Sequence, residues 1–208
     1  DLHAVAHSFP TRRSSDLRLG SKLFQLGTMA IGEAGLLEKS LQYMRNLRDE
    51  IGETVLIGKR LGTSGIILEQ VPGTNPVKVV VAVGFRFPLH CSAPGKVFLA
   101  YLPDYEADET IDKLDYKAYT EKTLCSKEEL TEALIEVKEK GYAVDNEEEI
   151  IGVTCVSAPL FNSWGYPVAA LWITGPTARV SEDRFEEMGG IIGKYAAKIS
   201  STLGYGSQ

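Results

Sequence analysis

The stretch GYAVDNEEEIIGVTCVSAPLF, Gly141 to Phe161, decides how the rest of the chain is read. Its first glycine closes a helix, and Asp145 follows on a short extended segment. An acidic turn, Asn146 to Glu149, then leads into a strand of small and β-branched residues carrying Cys155 and Ser157. A polar-lined strand beside an acidic loop suits a pocket for a small molecule, which needs a mostly apolar concavity and a few polar groups to fix orientation.

Working outward, Ser126-Lys127-Glu128-Glu129 is a capping box that opens a helix running to Lys140, with Leu130, Leu134 and Val137 as its buried stripe. On the other side, Asn162-Ser163-Trp164-Gly165 is a turn, Pro167–Thr174 is the returning strand, and Ser181 precedes a last helix striped by Phe185, Met188, Ile192, Tyr195, Ile199 and Leu203. Further upstream, Ser92 and Pro94 start a helix over Ala93–Tyr101, where the N-cap and first-turn preferences agree. A short acidic helix follows from Asp104. Thr54–Arg60 and Ile66–Val71 flank Gly62-Thr63-Ser64-Gly65 as a hairpin, and the apolar run Val77–Val83 reads as a strand buried on both faces. Arg18–Ala34 and Leu36–Ile51 read as two helices, the first with a narrow seam of Leu19, Leu23, Leu26 and Ala30. Hairpins join most strands, so the class is α+β, a mainly antiparallel sheet flanked by helices.

The first seventeen residues stand apart. SFPTRRSSDL, Ser8 to Leu17, matches the conceptual translation of a common short-read sequencing adapter, so residues 1–17 are expected to be read-through and not native. The segment holds Asp1, Asp16, Arg12 and Arg13, which cancel, so the net charge of −6 belongs to Arg18–Gln208. That charge argues against nucleic-acid binding by this chain alone, because neutralising the phosphates requires clustered Lys and Arg. The 208 residues suffice for one sizeable domain plus an appendage, and no run reaches the roughly 18 apolar residues of a membrane helix. Three cysteines, Cys91, Cys125 and Cys155, are too few and too far apart for a disulfide framework, which fits a reducing cytoplasm.

Chemistry is thinly signalled. Outside the first seventeen residues His90 is the only histidine, which denies the chain a multi-histidine metal site. No nucleotide-cradling glycine motif is present, and no cofactor is expected. Cys155 with His90 as base is one reading, a small-molecule enzyme with a cysteine nucleophile. The plainer reading is a buried cysteine and a structural histidine. Small-molecule sensing asks only that the helix start at Ser92–Gly95 converge with Asp145, Cys155 and Thr174.

Four ordered blocks carry a family likeness: RLGSKLFQLG (Arg18–Gly27), PLHCSAPGKVFLAYLP (Pro88–Pro103), KGYAVDNEEEIIGVTCVSAPLF (Lys140–Phe161) and ITGPTARVSEDR (Ile173–Arg184). Together they closely resemble the IclR family of bacterial transcription regulators. The resemblance implies a GAF-like effector-binding domain over 35–208, a linker helix over 18–34, and a winged helix-turn-helix upstream of Arg18 that would contact operator DNA. It implies a homodimer or tetramer, a cytoplasmic location, no membrane contact, and a small organic acid as effector. The family's pocket positions fall here on Ala93, Pro94, Gly95, Asp145, Cys155, Trp172 and Thr174, with the region of Pro76 and Val79 as apolar wall. The acidic run Glu147–Glu149 then reads as a solvated turn beside that pocket. Two departures bear on the ligand. Pro94 removes a backbone donor from the helix start, and Trp172 is bulky where a small hydroxyl residue is common.

The charge yields a first prediction. The purified 208-residue chain gives no sequence-specific mobility shift with operator DNA at physiological salt; a specific shift by this chain alone overturns the expectation.

Overall fold

The computed structural model describes residues 21–206, with side chains from residue 35 onward. The adapter-like segment and the seam of Leu19, Leu23, Leu26 and Ala30 lie outside the described residues and side chains. The chain divides into two compact units, Asp1–Gly35 and Leu36–Gln208, and the second holds the sheet.

A single helix, α1, runs from Ser21 to Ile51 without a break. The sequence had parted it near Gly35. Glycine costs a helix about 1 kcal/mol but keeps its N–H, whereas proline would remove the bond, and no proline interrupts this span. The elements that follow are β1 (Thr54–Leu61), β2 (Ser64–Val71), β3 (Arg86–Pro88), α2 (Ala93–Tyr101), α3 (Asp104–Ile111), α4 (Lys127–Lys140), β4 (Ala143–Asn146), β5 (Val153–Phe161), β6 (Pro167–Pro176), a 3-10 turn at Glu182–Arg184, and α5 (Phe185–Thr202).

The strands form one six-stranded sheet in the order β3-β2-β1-β6-β5-β4, with every neighbouring pair antiparallel. The expected α+β class and GAF-like antiparallel sheet are what the chain adopts. Alternation along each strand separates two cores. Val55, Ile57, Leu171 and Ile173 pack with Met44 and Leu47 of α1 and with Met188 and Ile192 of α5. Leu56, Ala170 and Trp172 pack on the opposite face with Val97 and Phe98 of α2 and Leu130 of α4.

Side-chain caps set the helix starts. Ser92 Oγ accepts the Gly95 N–H at 3.2 Å, and Ser126 Oγ accepts the Glu129 N–H at 3.2 Å. In turn Glu129 Oε2 accepts the Cys125 N–H at 2.8 Å, so the acid reaches back to the residue before the cap.

The run Val77–Val83 corrects the sequence reading: it is not a strand. Val77, Val80 and Val83 are 70%, 56% and 55% exposed. The place beside β2 is taken by β3, and Gly84 N and Phe85 O pair with Ile67 just beyond that short ladder, at 2.8 and 3.0 Å. The valines form an irregular crossing over the sheet instead, held by the Val81 N–H to Gln70 Oε1 at 3.2 Å. Their hydrophobicity serves a cavity wall and not a ladder, a distinction that an apolar run alone does not make.

Two glycines set the shape of that wall. A Cβ at Gly65 would lie 2.0 Å from the Phe87 ring, and one at Gly58 would lie 2.9 Å from the Trp172 ring. Both rings therefore lie down on bare backbone, and they meet edge to face with centroids 5.5 Å apart. Gly65→Ala should displace Phe87 and destabilise the domain by about 1–3 kcal/mol, the usual cost of overpacking. Urea unfolding measures it, and an unchanged midpoint would show that the ring adapts freely.

Candidate functional site

The register of the sheet brings distant residues into one row. Asp145 on β4 pairs with Cys155 on β5, and Cys155 pairs with Thr174 on β6. In the next row Ser157 pairs with Trp172, and Trp172 with Leu56 on β1. All these side chains except the buried Ser157 open on a cavity of about 280 Å³ under the 79–87 crossing. Leu56, Ile67, Val79, Val81, Phe87 and Trp172 supply most of its apolar lining, while Ser92, Asp145, Glu149, Cys155 and Thr174 supply its polar end.

Of the eight positions expected at a pocket, six line this cavity: Val79, Pro94, Asp145, Cys155, Trp172 and Thr174. Ala93 and Gly95 do not. They are buried in the first turn of α2, where Gly95 faces the Leu89 backbone, 2.4 Å from a Cβ built there. Pro76 is exposed and off the wall. Sequence reasoning missed Leu56, Ile67 and Phe87, whose places depend on register, and Glu149, which it had placed in solvent.

The acidic turn is the second correction. Only Glu147 behaves as expected, meeting exposed Lys122 at 2.7 Å and accepting the Gly152 N–H at 2.7 Å. Glu148 is buried and forms an ion pair with buried Lys96 of α2. Its other oxygen, Oε2, has no hydrogen-bond partner among the described residues. Glu149 turns onto the cavity wall and has no hydrogen-bond or ion-pair partner among the described residues. The lysine after Gly95 was the available signal, because a lysine inside an apolar helix needs a carboxylate nearby.

Burial has electrostatic consequences. Asp145 is 3% exposed; its Oδ1 accepts the Glu148 N–H at 2.7 Å. Desolvation, with Glu148 adding repulsion, pushes its pKa up to about 8 against the pull of Lys96. Desolvation alone raises Glu149 to about 7. The Cys155 thiol donates to Thr174 Oγ1 at 3.3 Å. Burial and then the Asp145 charge hold its pKa well above the ordinary thiol value, so it does not become a ready thiolate. His90 is occupied elsewhere. Its Nε2 donates to the Lys117 carbonyl at 3.0 Å, its ring packs against Tyr116 and Tyr119, and burial lowers its pKa. No hydrogen bond joins it to Cys155 among the described residues, and it is not on the cavity wall, so the arrangement offers no activated nucleophile. No group of three or more His, Cys, Asp and Glu among the described residues is placed to hold a metal ion, and no described helix is long and apolar enough to cross a membrane.

Comparison with known proteins bears on the family and the fold. The family model for the bacterial transcriptional regulator IclR C-terminal region matches residues 28–201. The HTH-type transcriptional regulator KdgR of Escherichia coli K12 is 34% identical over 192 residues, spanning 92% of this chain and 73% of that protein. The transcriptional repressor IclR of the same organism is 33% identical over 190 residues, with 90% and 69% covered. Among solved structures, the Thermotoga maritima IclR superposes with a TM-score of 0.80 at 30% identity, covering 94% of this chain and 79% of that one. The C-terminal domain of E. coli KdgR gives 0.74 at 33% identity, covering 82% and 99%.

The raised carboxyls fix the sign of a stability profile. Asp145 and Glu149 have folded pKa values of about 8 and about 7, above their ordinary values of 3.8 and 4.5. The folded state therefore binds more protons than the unfolded one between these limits. Stability held at pH 4 is lost as pH rises through 7 and 8. The melting temperature of the ligand-free chain should fall from pH 5 to pH 8, and Asp145→Asn, whose amide oxygen still accepts the Glu148 N–H, should flatten the fall. An unchanged slope in Asp145→Asn would assign the decline to other groups.

Proposed function

The chain belongs to the IclR family of bacterial transcriptional regulators, and on that premise we propose that the 280 Å³ cavity is its effector site and that occupancy controls DNA binding by a winged helix-turn-helix. The observation that carries the reading is the cavity itself. It is apolar over most of its wall, it carries a few polar groups, and all six strands, in fixed register, contribute to it.

The mechanism is a ligand-biased equilibrium. An effector shifts a two-state protein only through contacts that differ between the states. The acidic turn and the 79–87 crossing contribute such contacts, since both are irregular segments bearing on the cavity. A homodimer or tetramer in the cytoplasm is the working assembly, with α1 carrying the change to the DNA-reading part. Operator DNA, contacted through that part, is the second partner.

The expectation of an organic acid needs revision. Pro94 has no N–H, Gly95 donates to Ser92 Oγ, and Lys96 N donates to the Ser92 carbonyl at 3.0 Å, so the start of α2 offers the cavity almost no free donor. No lysine or arginine lines the wall, and two carboxyls do. The enzyme alternative has no support from the Cys155 and His90 surroundings, and a sensing role without turnover is the reading adopted.

A thermal-shift screen of small molecules tests the site. A true effector at about a hundredfold its Kd stabilises by about 2.7 kcal/mol, roughly 5–10 °C for a chain of this size. Trp172→Ser should change which compounds stabilise while the unliganded protein stays folded. Identical profiles for both proteins would remove Trp172 from the site.

A further inference from the structure

The chemistry of the cavity goes further than its existence. We propose that it selects a small cationic ligand, an ammonium or amidinium head on an apolar or aromatic body, with Asp145 and Glu149 taking the charge and Trp172 and Phe87 flanking the body. This rests on the effector-site reading above and names the ligand class for it.

The first ground is hydrogen-bonding capacity. The hydroxyls on the wall are partly engaged within the protein: Ser92 donates to the Pro88 carbonyl and accepts from Gly95, while Thr174 accepts from Cys155 and keeps its own O–H to give. The carboxyls are not so engaged. Asp145 is nine-tenths buried and has one oxygen held by the Glu148 N–H. Its second oxygen has no partner among the described residues, and the residue lines the cavity. Glu149 faces the same space with no partner. Once these carboxyls are ionised, what is left over on them is acceptor capacity, which a ligand bringing donors would fill.

The second ground is charge. Lys96 is the nearby cation, but its ammonium is committed to Glu148, and it is not on the wall. Once Asp145 and Glu149 are ionised, an anionic ligand would add a further negative charge to a desolvated acidic wall. A cation would complete charge-assisted hydrogen bonds, which are about twice as strong as neutral ones. The third ground is aromatic. The Trp172 and Phe87 rings line the same cavity, and they would pack against the ligand's apolar or aromatic body.

The charge state of the wall makes the preference pH-dependent. The groups facing Asp145 are Glu148 and Glu149 from the turn, Lys96 from α2 and Cys155 from β5. With Asp145 and Glu149 titrating near 8 and 7, a cation binds their ionised forms and expels protons, so its affinity climbs as the pH rises through that range.

Benzylamine, benzyl alcohol and benzoate share a ring and differ in charge, which makes them suitable probes. The full chain carrying Trp164→Phe leaves Trp172 as the single tryptophan, because Trp164 is the only other and is 89% exposed in a turn. Titrations followed by Trp172 fluorescence and calorimetry should rank benzylamine first and benzoate last. Benzylamine should bind more tightly at pH 8 than at pH 6. Asp145→Asn and Glu149→Gln should each weaken benzylamine about tenfold or more while changing benzyl alcohol little. Circular dichroism and the melting temperature confirm that both variants are folded. Benzoate binding as well as benzylamine, or benzylamine binding that ignores both substitutions, overturns the charge preference and leaves the effector site standing. Failure of all three probes to bind at millimolar concentration overturns the preference and removes support from the effector site as well.

Discussion

The ion pair between Lys96 and Glu148 is the constraint from which the rest of the site follows. Both ends are buried, at 4% and 8% exposure. It joins the first turn of α2 to the turn between β4 and β5, two segments fifty-two residues apart in the chain. A buried charge without its partner costs about 3–5 kcal/mol, so neither segment moves independently. With the turn pulled under α2, the Glu148 N–H reaches Asp145, and Glu149 is delivered to the wall. One contact thus explains why an acidic run that reads as a solvated loop lies against an apolar cavity, and why its neighbours are desolvated.

Antiparallel register does the complementary work. A one-residue slip along β5 would turn Cys155 away from the cavity and bring Val156 into its place, since side chains alternate across a strand. The slip is opposed on the other face, where Val156, Ala158 and Leu160 belong to the core under α5. Packing of α5 therefore fixes the row Asp145–Cys155–Thr174 without touching it. The aromatic part of the wall depends likewise on Gly58 and Gly65, which have no side chain to hold Trp172 and Phe87 off the sheet. Polar end and apolar body are positioned by separate devices, so composition at one end can change without rebuilding the other.

Local signals in the sequence were read well where the chemistry was local. The start of α2 at Ser92, the capping box at Ser126 and the glycine that ends α4 are short-range patterns, and each forms as its residues require. Asp145, Cys155 and Thr174 were singled out from the residues themselves, Trp172 through a family resemblance, and the cavity collects all four. What stayed hidden was long-range. Val77–Val83 has the composition of a buried strand, but whether it joins a ladder depends on β3 already occupying that edge. Acidity at Glu148 and Glu149 looks like solvation until Lys96 is known to be buried within reach. The merging of two helices into α1 turned on glycines that lower helix propensity without forbidding the helix.

The cavity is consequently an unfinished structure in energetic terms. Folding desolvates Asp145 and Glu149, which line the cavity without a full set of partners among the described residues. In a purely structural core such groups would be a liability, since unmatched buried polar atoms are costly and native proteins keep few of them. On the proposed effector reading, groups of this kind on a cavity wall would become a source of differential binding: a ligand that supplied the missing donors would gain more than its own contacts, because it would also relieve repulsion within the turn. That relief acts through segments tied to α2 and β4, not through the wall alone. A sensor needs its ligand to favour one arrangement over another, and a site left electrostatically incomplete in the ligand-free state gives the ligand that leverage.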